Sequence, residues 1–514
     1  MFQLRAAVIA ALFCLATGLP ASAQDVTLTS RDGAIEVAGT LLGYDGEFYR
    51  VDTVYGALTF DGSAVVCSGP GCPDPEAYIA EVRIAGARSI GRTLLPVLLE
   101  RFASQREMSV RRVVSGDDQF RYDMTSDSTG QIVARFIFDL SRTADGFAAL
   151  IADEADMILA TREATPAEIR AAEANDVGDL TASRRSRIIA LDALVPVVGR
   201  GNTLATITPE TLSGVLEGQI TNWADLGGPD EAIILHRLSE EADLGSDRWA
   251  AKTGAETYDD IATLVDAIAP DPFAIGVTRY SEIGNARPLA LVGACGFDLV
   301  ASPLSLKTED YPLTTPLFLY TPARRLPKTA RDFLRYLGTP DAQRFVRRAG
   351  FVGQNVVPIS VAAQGERLAN AISRAGEEVG LADLQRMTAA LVGRARLSLS
   401  FRFRAGSTAL DAQSEANVHQ LAELLEGGQF DGKELLFAGF SDGDGPAAAN
   451  QSIALKRADA VMAAVRDAAP MMDGERVALT ADGFGEAMPM ACDDSEWGRQ
   501  VNRRVELWIG PGQR

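Results

Sequence analysis

From about residue 78 to residue 358 the chain alternates short β-branched runs with stretches of helical spacing, and no other feature restricts its fold so tightly. Strand candidates are 82–85, 108–114, 155–159, 188–191, 194–198 and 274–277; helical spacing runs through 92–104, 146–153, 209–216 and 330–337. Strands separated by helices predict an α/β architecture with largely parallel sheets. The length of the stretch fits two lobes facing a cleft, a usual place for a ligand.

The flanks read differently. Residues 26–66 alternate with period two and are broken by Gly33, Gly39, Gly43, Gly46, Gly56 and Gly62, which predicts a small all-β module over 24–75. Residues 362–395 carry helical spacing interrupted at Gly376 and Gly380 and read as a helical linker. In 396–514, strand signals at 396–403, 434–438, 476–480 and 504–509 surround helical signals at 412–425 and 447–468, an α+β sandwich. A 514-residue chain is too long for one core, so this multidomain division is expected.

The first 23 residues join Arg5, an apolar run and Ala21-Ser-Ala23, the pattern of a cleaved export signal. Export permits disulfides, and Cys67-Ser-Gly-Pro-Gly-Cys72 closes on turn residues. Metal binding by that pair is the rival reading, but no second Cys/His pair lies nearby. Cys295 and Cys492 fall in different units and are expected to be free thiols. With 69 acidic against 49 basic residues, the chain lacks the basic face that a nucleic-acid partner requires.

One local arrangement carries ligand chemistry. Asp442 lies in the Gly-rich turn Gly439-Phe-Ser-Asp-Gly-Asp-Gly445, and Arg457 follows fifteen positions later on a helix. A carboxylate and a guanidinium so placed grip a small zwitterion, one taking its ammonium and the other its carboxylate. Alone, such a pair is more often a turn and a surface arginine. Here it sits among ordered blocks: Phe403-Arg-Ala-Gly-Ser-Thr-Ala-Leu410, Asn450, Leu455-Lys-Arg-Ala458, Gly483-Phe-Gly-Glu486 and Asn502-Arg-Arg-Val505.

Together these blocks resemble the OmpA-like peptidoglycan-binding family over nearly all of 396–514. The resemblance implies that Asp442 and Arg457 hold the diamino acid of the cell-wall stem peptide. Asn450 would assist, Ser441 would replace the usual threonine, and Phe440 stands at the rim where histidine or tyrosine is common. Arg503 and Arg504 are expected to pair with nearby carboxylates rather than with ligand.

Upstream, Gly86-Ala-Arg-Ser-Ile-Gly91, Asp145-Gly-Phe-Ala-Ala-Leu-Ile151, Ala160-Thr-Arg162, Gly218-Gln-Ile-Thr-Asn-Trp223 and Tyr311–Tyr320 follow in the order of the phosphate-binding periplasmic proteins of ABC importers. That resemblance implies an anion held on helix N-termini, at the turn of Arg88, Ser89 and Ile90 and at the turn of Thr143 and Gly146, with Arg237 contacting it. It also implies an ABC permease as partner. Departures from the family pattern place acids near the anion: Glu240, Glu241 and Asp243 after Arg237, and Asp145 itself.

No nucleophile elbow, phosphate loop or zinc-protease motif appears, and His236 and His419 have no metal-ligand spacing. The expectation is a non-enzymatic periplasmic binder of phosphate or another small oxyanion, without cofactor or metal. It would be attached to peptidoglycan and associated with the cell wall and the outer membrane. The alternative is a structural envelope adaptor whose binding domain has lost or changed its ligand.

Overall fold

Period-two alternation from Val26 onward builds a five-stranded antiparallel sheet in the order Gly56–Asp61, Phe48–Thr53, Glu36–Tyr44, Val26–Ser30, Val65–Ser68. The computed structural model describes residues 25–239, 255–293, 295–376, 378–404, 407 and 409–512. The export signal read at 1–23 and the acids Glu240, Glu241 and Asp243 lie outside those residues. The small sheet buries Val26, Leu28, Tyr49 and Val51, and the Cys67–Cys72 disulfide closes beside them. Arg325 and Arg331 reach from the next unit to Asp45 and Glu47, and the Arg325 guanidinium lies 4.0 Å from the centre of the Phe48 ring.

The central unit has two lobes, each with its own core. In the first, Ala80–Ala87 runs parallel to Ile132–Ser141 on one side and to Met157–Ala160 on the other. In the second, Ile234–Leu238 runs parallel to Glu256–Tyr258 and Ala274–Arg279. A single 13-residue strand, Ser186–Val198, joins them. It pairs antiparallel with Thr314–Tyr320 and, further along, with Ala274–Arg279.

The combined sheet is therefore mixed rather than largely parallel, because the chain crosses between the lobes and returns. The two strands expected at 188–191 and 194–198 are one. Asp192 interrupts their apolar run but is fully buried, accepting from Ser281 Oγ at 2.7 Å and Ser281 N at 3.0 Å.

In the C-terminal unit five strands are ordered Pro358–Ser360, Ala395–Arg402, Arg504–Pro511, Lys433–Phe440, Val477–Gly483. Helices Ala412–Glu426 and Ala447–Ala468 cover one face, burying Leu399, Phe401, Phe437, Val461 and Leu507. The other face carries Leu436, Ala438 and Trp508, covered by Ala371, Leu384, Met387 and Leu391 of helices Gly365–Arg374 and Leu381–Leu391. The segment read as a linker is thus the second layer over this sheet. The internal strand Lys433–Phe440 accordingly reads as a continuous apolar run, Leu435-Leu-Phe-Ala438, as a strand buried on both faces does.

The C-terminal unit is joined to the second lobe by more than chain connectivity. Met490, Ala491 and Val501 belong to the second lobe's core. Cys295 and Cys492 form a disulfide with Cα atoms 5.6 Å apart, which overturns the expectation of free thiols. Packing of residues 490–501 on the second lobe brings together two cysteines 197 positions apart. Elsewhere across this junction, fully buried Arg396 donates to both carboxylate oxygens of Asp310, at 2.7 and 2.9 Å.

Candidate functional site

Two places combine charge, shape and access. The first begins where the strand Lys433–Phe440 ends. A Cβ on Gly439 would lie 2.0 Å from the carbonyl oxygen of Ala454, so only glycine lets the helix Ala447–Ala468 approach this closely. That approach sets the level of Arg457, one helical turn further on. Its guanidinium lies 5.6 Å from the Phe403 ring centre. Burial pushes the Arg457 guanidinium below its ordinary pKa, Asp442 opposes that shift, and Arg503 adds to it. The three charges are therefore close enough to sense one another. Arg457 forms no ion pair with a described residue.

Asp442 is half-buried, and its Oδ2 accepts from Arg503 Nη1 at 2.8 Å. Arg503 is steadied from the other side by Glu496, at 2.7 Å. Arg503 thus pairs with carboxylates as expected, but one of them is Asp442 itself. Asn450 is buried and donates to the Gly445 carbonyl at 3.3 Å, which braces the turn. Ser441 is buried too; its N–H donates to Gly485 O at 2.9 Å, and its hydroxyl has no hydrogen-bond partner among the described residues.

Phe440 is buried with Arg504 stacked 4.4 Å above it, so it belongs to the core and not to the rim. Sequence reasoning missed Asp493, which accepts from Gly443 N at 2.9 Å and Asn502 Nδ2 at 2.8 Å. Burial raises its carboxyl pKa, and the nearby Asp442 charge raises it further. Fifty residues separate Asp493 from the turn it holds, and no local signal marks it.

The second place is the edge of the first lobe where its three parallel strands end together. Ala87 pairs with Ser141, and Gly86 with Leu159, so the turns at Arg88-Ser89, Arg142-Thr143 and Thr161 leave the same edge. Carboxyl ends of parallel strands are where ligands collect in open α/β sheets. Ser89 and Ile90 open the helical segment that continues into Leu95–Ser104. Thr143 opens the helix Thr143–Ile151, and its Oγ1 lies 3.1 Å from Thr161 Oγ1. Gly146 lets that helix sit on the sheet, since a Cβ there would come within 2.8 Å of Gly86 Cα.

The acid expected to repel an anion here is matched. Asp145 accepts from Arg142 Nε at 2.9 Å and Nη2 at 3.1 Å, and these bonds hold its carboxyl below the usual range against a smaller cost of burial. A second acid went unnoticed in the sequence: Asp118 takes Arg88 Nε and Arg92 Nε, both at 2.9 Å. Three guanidiniums (Arg88, Arg92 and Arg142) thus share two carboxylates.

Arg237 stands apart, on the strand Ile234–Leu238 of the second lobe, where its Nε donates to Thr257 Oγ1 at 3.0 Å. On the second lobe, hydrogen bonds from Thr263 hold the Asp260 carboxyl below the usual range, and the Arg92 charge of the first lobe adds to this. His236 is buried with Nδ1 3.0 Å from the Tyr258 hydroxyl, and burial lowers its pKa.

Residues 76–341 match the model of the PBP superfamily domain, and residues 402–503 match that of the OmpA family. Outer membrane porin F of Pseudomonas fluorescens is 35% identical over 115 residues, 22% of this chain and 33% of the porin. The phosphate-binding protein PstS of Borreliella burgdorferi is 21% identical over 190 residues, 33% of this chain and 66% of that protein. The chain thus spans one third of the porin's length and just under two thirds of the other's. An ABC-type phosphate transport receptor from Vibrio cholerae, 18% identical, aligns with 53% of this chain and 99% of its own, at a TM-score of 0.39. The chain belongs to the PBP superfamily, and its carboxyl end matches the OmpA family.

Proposed function

We propose that the chain is an exported binding protein for phosphate or a related small oxyanion, held non-covalently on peptidoglycan by its OmpA-family domain. The observation that carries the second half is Arg457: a half-buried guanidinium beside Asp442 with no ion pair to any described residue. An uncompensated cation in a partly dry site is costly unless a ligand carboxylate meets it. Asp442 then receives the ligand's ammonium, and Ser441 and Asn450 shape the turn. For the first half, the support is the convergence of Ser89, Ile90, Thr143 and Gly146 at one sheet edge, beside Arg88, Arg92 and Arg142. In this reading the protein has no catalytic role, delivers its ligand to an ABC permease, and resides in the periplasm at the wall and outer membrane after loss of residues 1–23.

Co-sedimentation with purified sacculi tests the wall grip. Asp442→Ala and Arg457→Ala should each weaken retention about thirtyfold, equivalent to about 2 kcal/mol for one truncated charge contact. Retention unchanged in both variants would sink the assignment. Calorimetric titration of the full mature chain with phosphate, sulfate and arsenate tests the cleft, and silence across the three would refute oxyanion binding. One observation favours a second reading, an envelope adaptor without a cleft ligand: Asp118 already occupies Arg88 and Arg92. Wall retention without any anion binding is its signature.

A further inference from the structure

Away from the edge of Ser89 and Thr143, the first lobe ends in a basic face. Between Arg324 and Arg348 eight basic residues stand against two acidic ones, in a chain whose formal net charge is -20. Most of them lie on the helices Lys328–Leu337 and Pro340–Arg348, which ion pairs join to the far end of Leu95–Ser104. Arg101 Nε donates to Asp341 Oδ2 at 2.9 Å, and Arg106 Nη1 donates to Asp332 Oδ2 at 2.7 Å. Arg101 follows Ile90 by eleven residues, about 16 Å along a helix, so this face is separate from the edge where Ile90 stands.

The charges are layered. Asp332 is buried and holds three cations: Arg106, Lys328 with its Nζ at 2.9 Å, and Arg335. Asp341 holds Arg101 and Arg344, and also accepts from Gln105 Nε2 at 2.7 Å. The Arg335 and Arg344 side chains are 74% and 61% exposed, against 5% and 14% for the acids beneath them. The Arg101 and Arg348 guanidiniums both lie over the half-buried Phe345 ring, 5.4 and 5.0 Å from its centre. Over 95–107 and 328–348 eight basic residues meet four acids, of which Glu100 and Glu107 are the exposed ones. A carboxylate shared by two or three cations from below leaves the outer layer positive.

We infer that this face docks on a membrane surface rich in anionic phospholipid. Among the described residues of the three helices no large apolar side chain is exposed, whereas a specific protein interface is centred on desolvated aromatic or apolar anchors. Anionic headgroups require no such anchor: each Lys or Arg brought near them strengthens binding about fivefold. The acidic remainder of the chain is repelled by the same surface, which turns this end of the first lobe toward it. The inference is independent of what the cleft holds.

Flotation of the full mature chain with vesicles tests it, comparing equal parts phosphatidylcholine and phosphatidylglycerol with phosphatidylcholine alone. The wild type should float with the anionic vesicles in low salt, not with the neutral ones, and should be released at about 0.5 M salt. Combining Arg335→Gln, Arg344→Gln and Arg348→Gln should weaken binding to the anionic vesicles about a hundredfold. In that variant Asp332 keeps Arg106 and Lys328, and Asp341 keeps Arg101, so neither carboxylate is left alone. Thermal melting checks its fold; if the triple variant melts early, Arg348→Glu decides, with an expected loss of about thirtyfold. Glutamine at exposed Arg170, Arg374 and Arg466, on other helices, removes the same net charge and should weaken binding less than about threefold. No flotation with anionic vesicles, equal flotation with neutral ones, or equal weakening by the two triple variants overturns the inference.

Discussion

Replacing Asp310 by asparagine measures how firmly the OmpA-family domain is built into the second lobe. Asp310 and Arg396 are both buried and joined by hydrogen bonds of 2.7 and 2.9 Å. Removing one partner of a buried pair usually costs about 3–5 kcal/mol, because the other charge is left without compensation. Arg396 keeps Ser400 Oγ at 3.0 Å and the Glu506 carboxylate 3.6 Å away, so the low end applies, about 3 kcal/mol. For a cooperative unit of about 150–250 residues that is a fall of roughly 6–12 °C in Tm.

The pH dependence separates this cause from a packing defect. Burial pushes the Asp310 carboxyl up, but the charge and hydrogen bonds of Arg396 outweigh it and hold the group below its ordinary value of 3.8. A depressed carboxyl contributes stability that is present above that ordinary value and lost as pH falls through the folded-state value. Wild type and Asp310→Asn should therefore differ most near neutrality and converge below about pH 4 in denaturant melts. A difference under about 0.5 kcal/mol at pH 7, or one that persists unchanged in acid, would refute the reasoning.

Two further substitutions probe the same architecture. Gly439→Ala should lower stability by at least about 2 kcal/mol and weaken sacculus retention together, since its Cβ would press on Ala454 O and lift the helix that carries Arg457; normal retention in a destabilised variant would disconnect the glycine from the site. Burial raises the Glu309 carboxyl to about 8, with Asp411 adding to the rise and Arg402 opposing it. A raised carboxyl contributes stability that is complete below its ordinary value of 4.5 and is lost as pH climbs through about 8. Glu309→Gln should accordingly flatten the fall in Tm between pH 5 and pH 9, on the order of several kcal/mol, and parallel melting curves for the two proteins would count against it.

How far the molecule was legible depended on the sequence distance of the contacts. The turn of Asp442 and the helix of Arg457 are local, and residue type with spacing found both. Arg503 on Asp442 spans 61 positions and Cys295 with Cys492 spans 197; docking of whole units decides such contacts, and no periodicity records docking. Ile132–Ser141 was legible in principle, since Ala134, Phe136, Phe138 and Leu140 alternate onto one buried face. Ile234–Leu238 was not: a buried His236 in a strand looks misplaced until Tyr258, 22 residues later, supplies the hydroxyl beside its ring nitrogen. The helices at 365–391 read correctly as helices and incorrectly as spacer, because an apolar helical face does not say which sheet it covers.

The docking decides what the proposed wall attachment would do. A flexible tether would leave the binding domain free to orient, but here the anchor shares a core, a disulfide and the Asp310–Arg396 pair with the second lobe. Against the first lobe the same domain leaves a cavity of about 740 Å³, between Leu334 and Leu337 on one side and Val418 and Glu423 on the other. The lobes themselves are joined through Ser186–Val198 and Thr314–Tyr320. When the anchor is held on peptidoglycan the second lobe is held with it, so closure on a ligand must turn the first lobe and the β module bonded to it. Spin labels at Val54 in the β module and at Met471 in the C-terminal domain, both exposed, should therefore change separation when ligand is added. Labels at exposed Leu304 of the second lobe and at Met471 should keep theirs. Movement of the second pair with the first pair still would reverse the assignment of the fixed lobe.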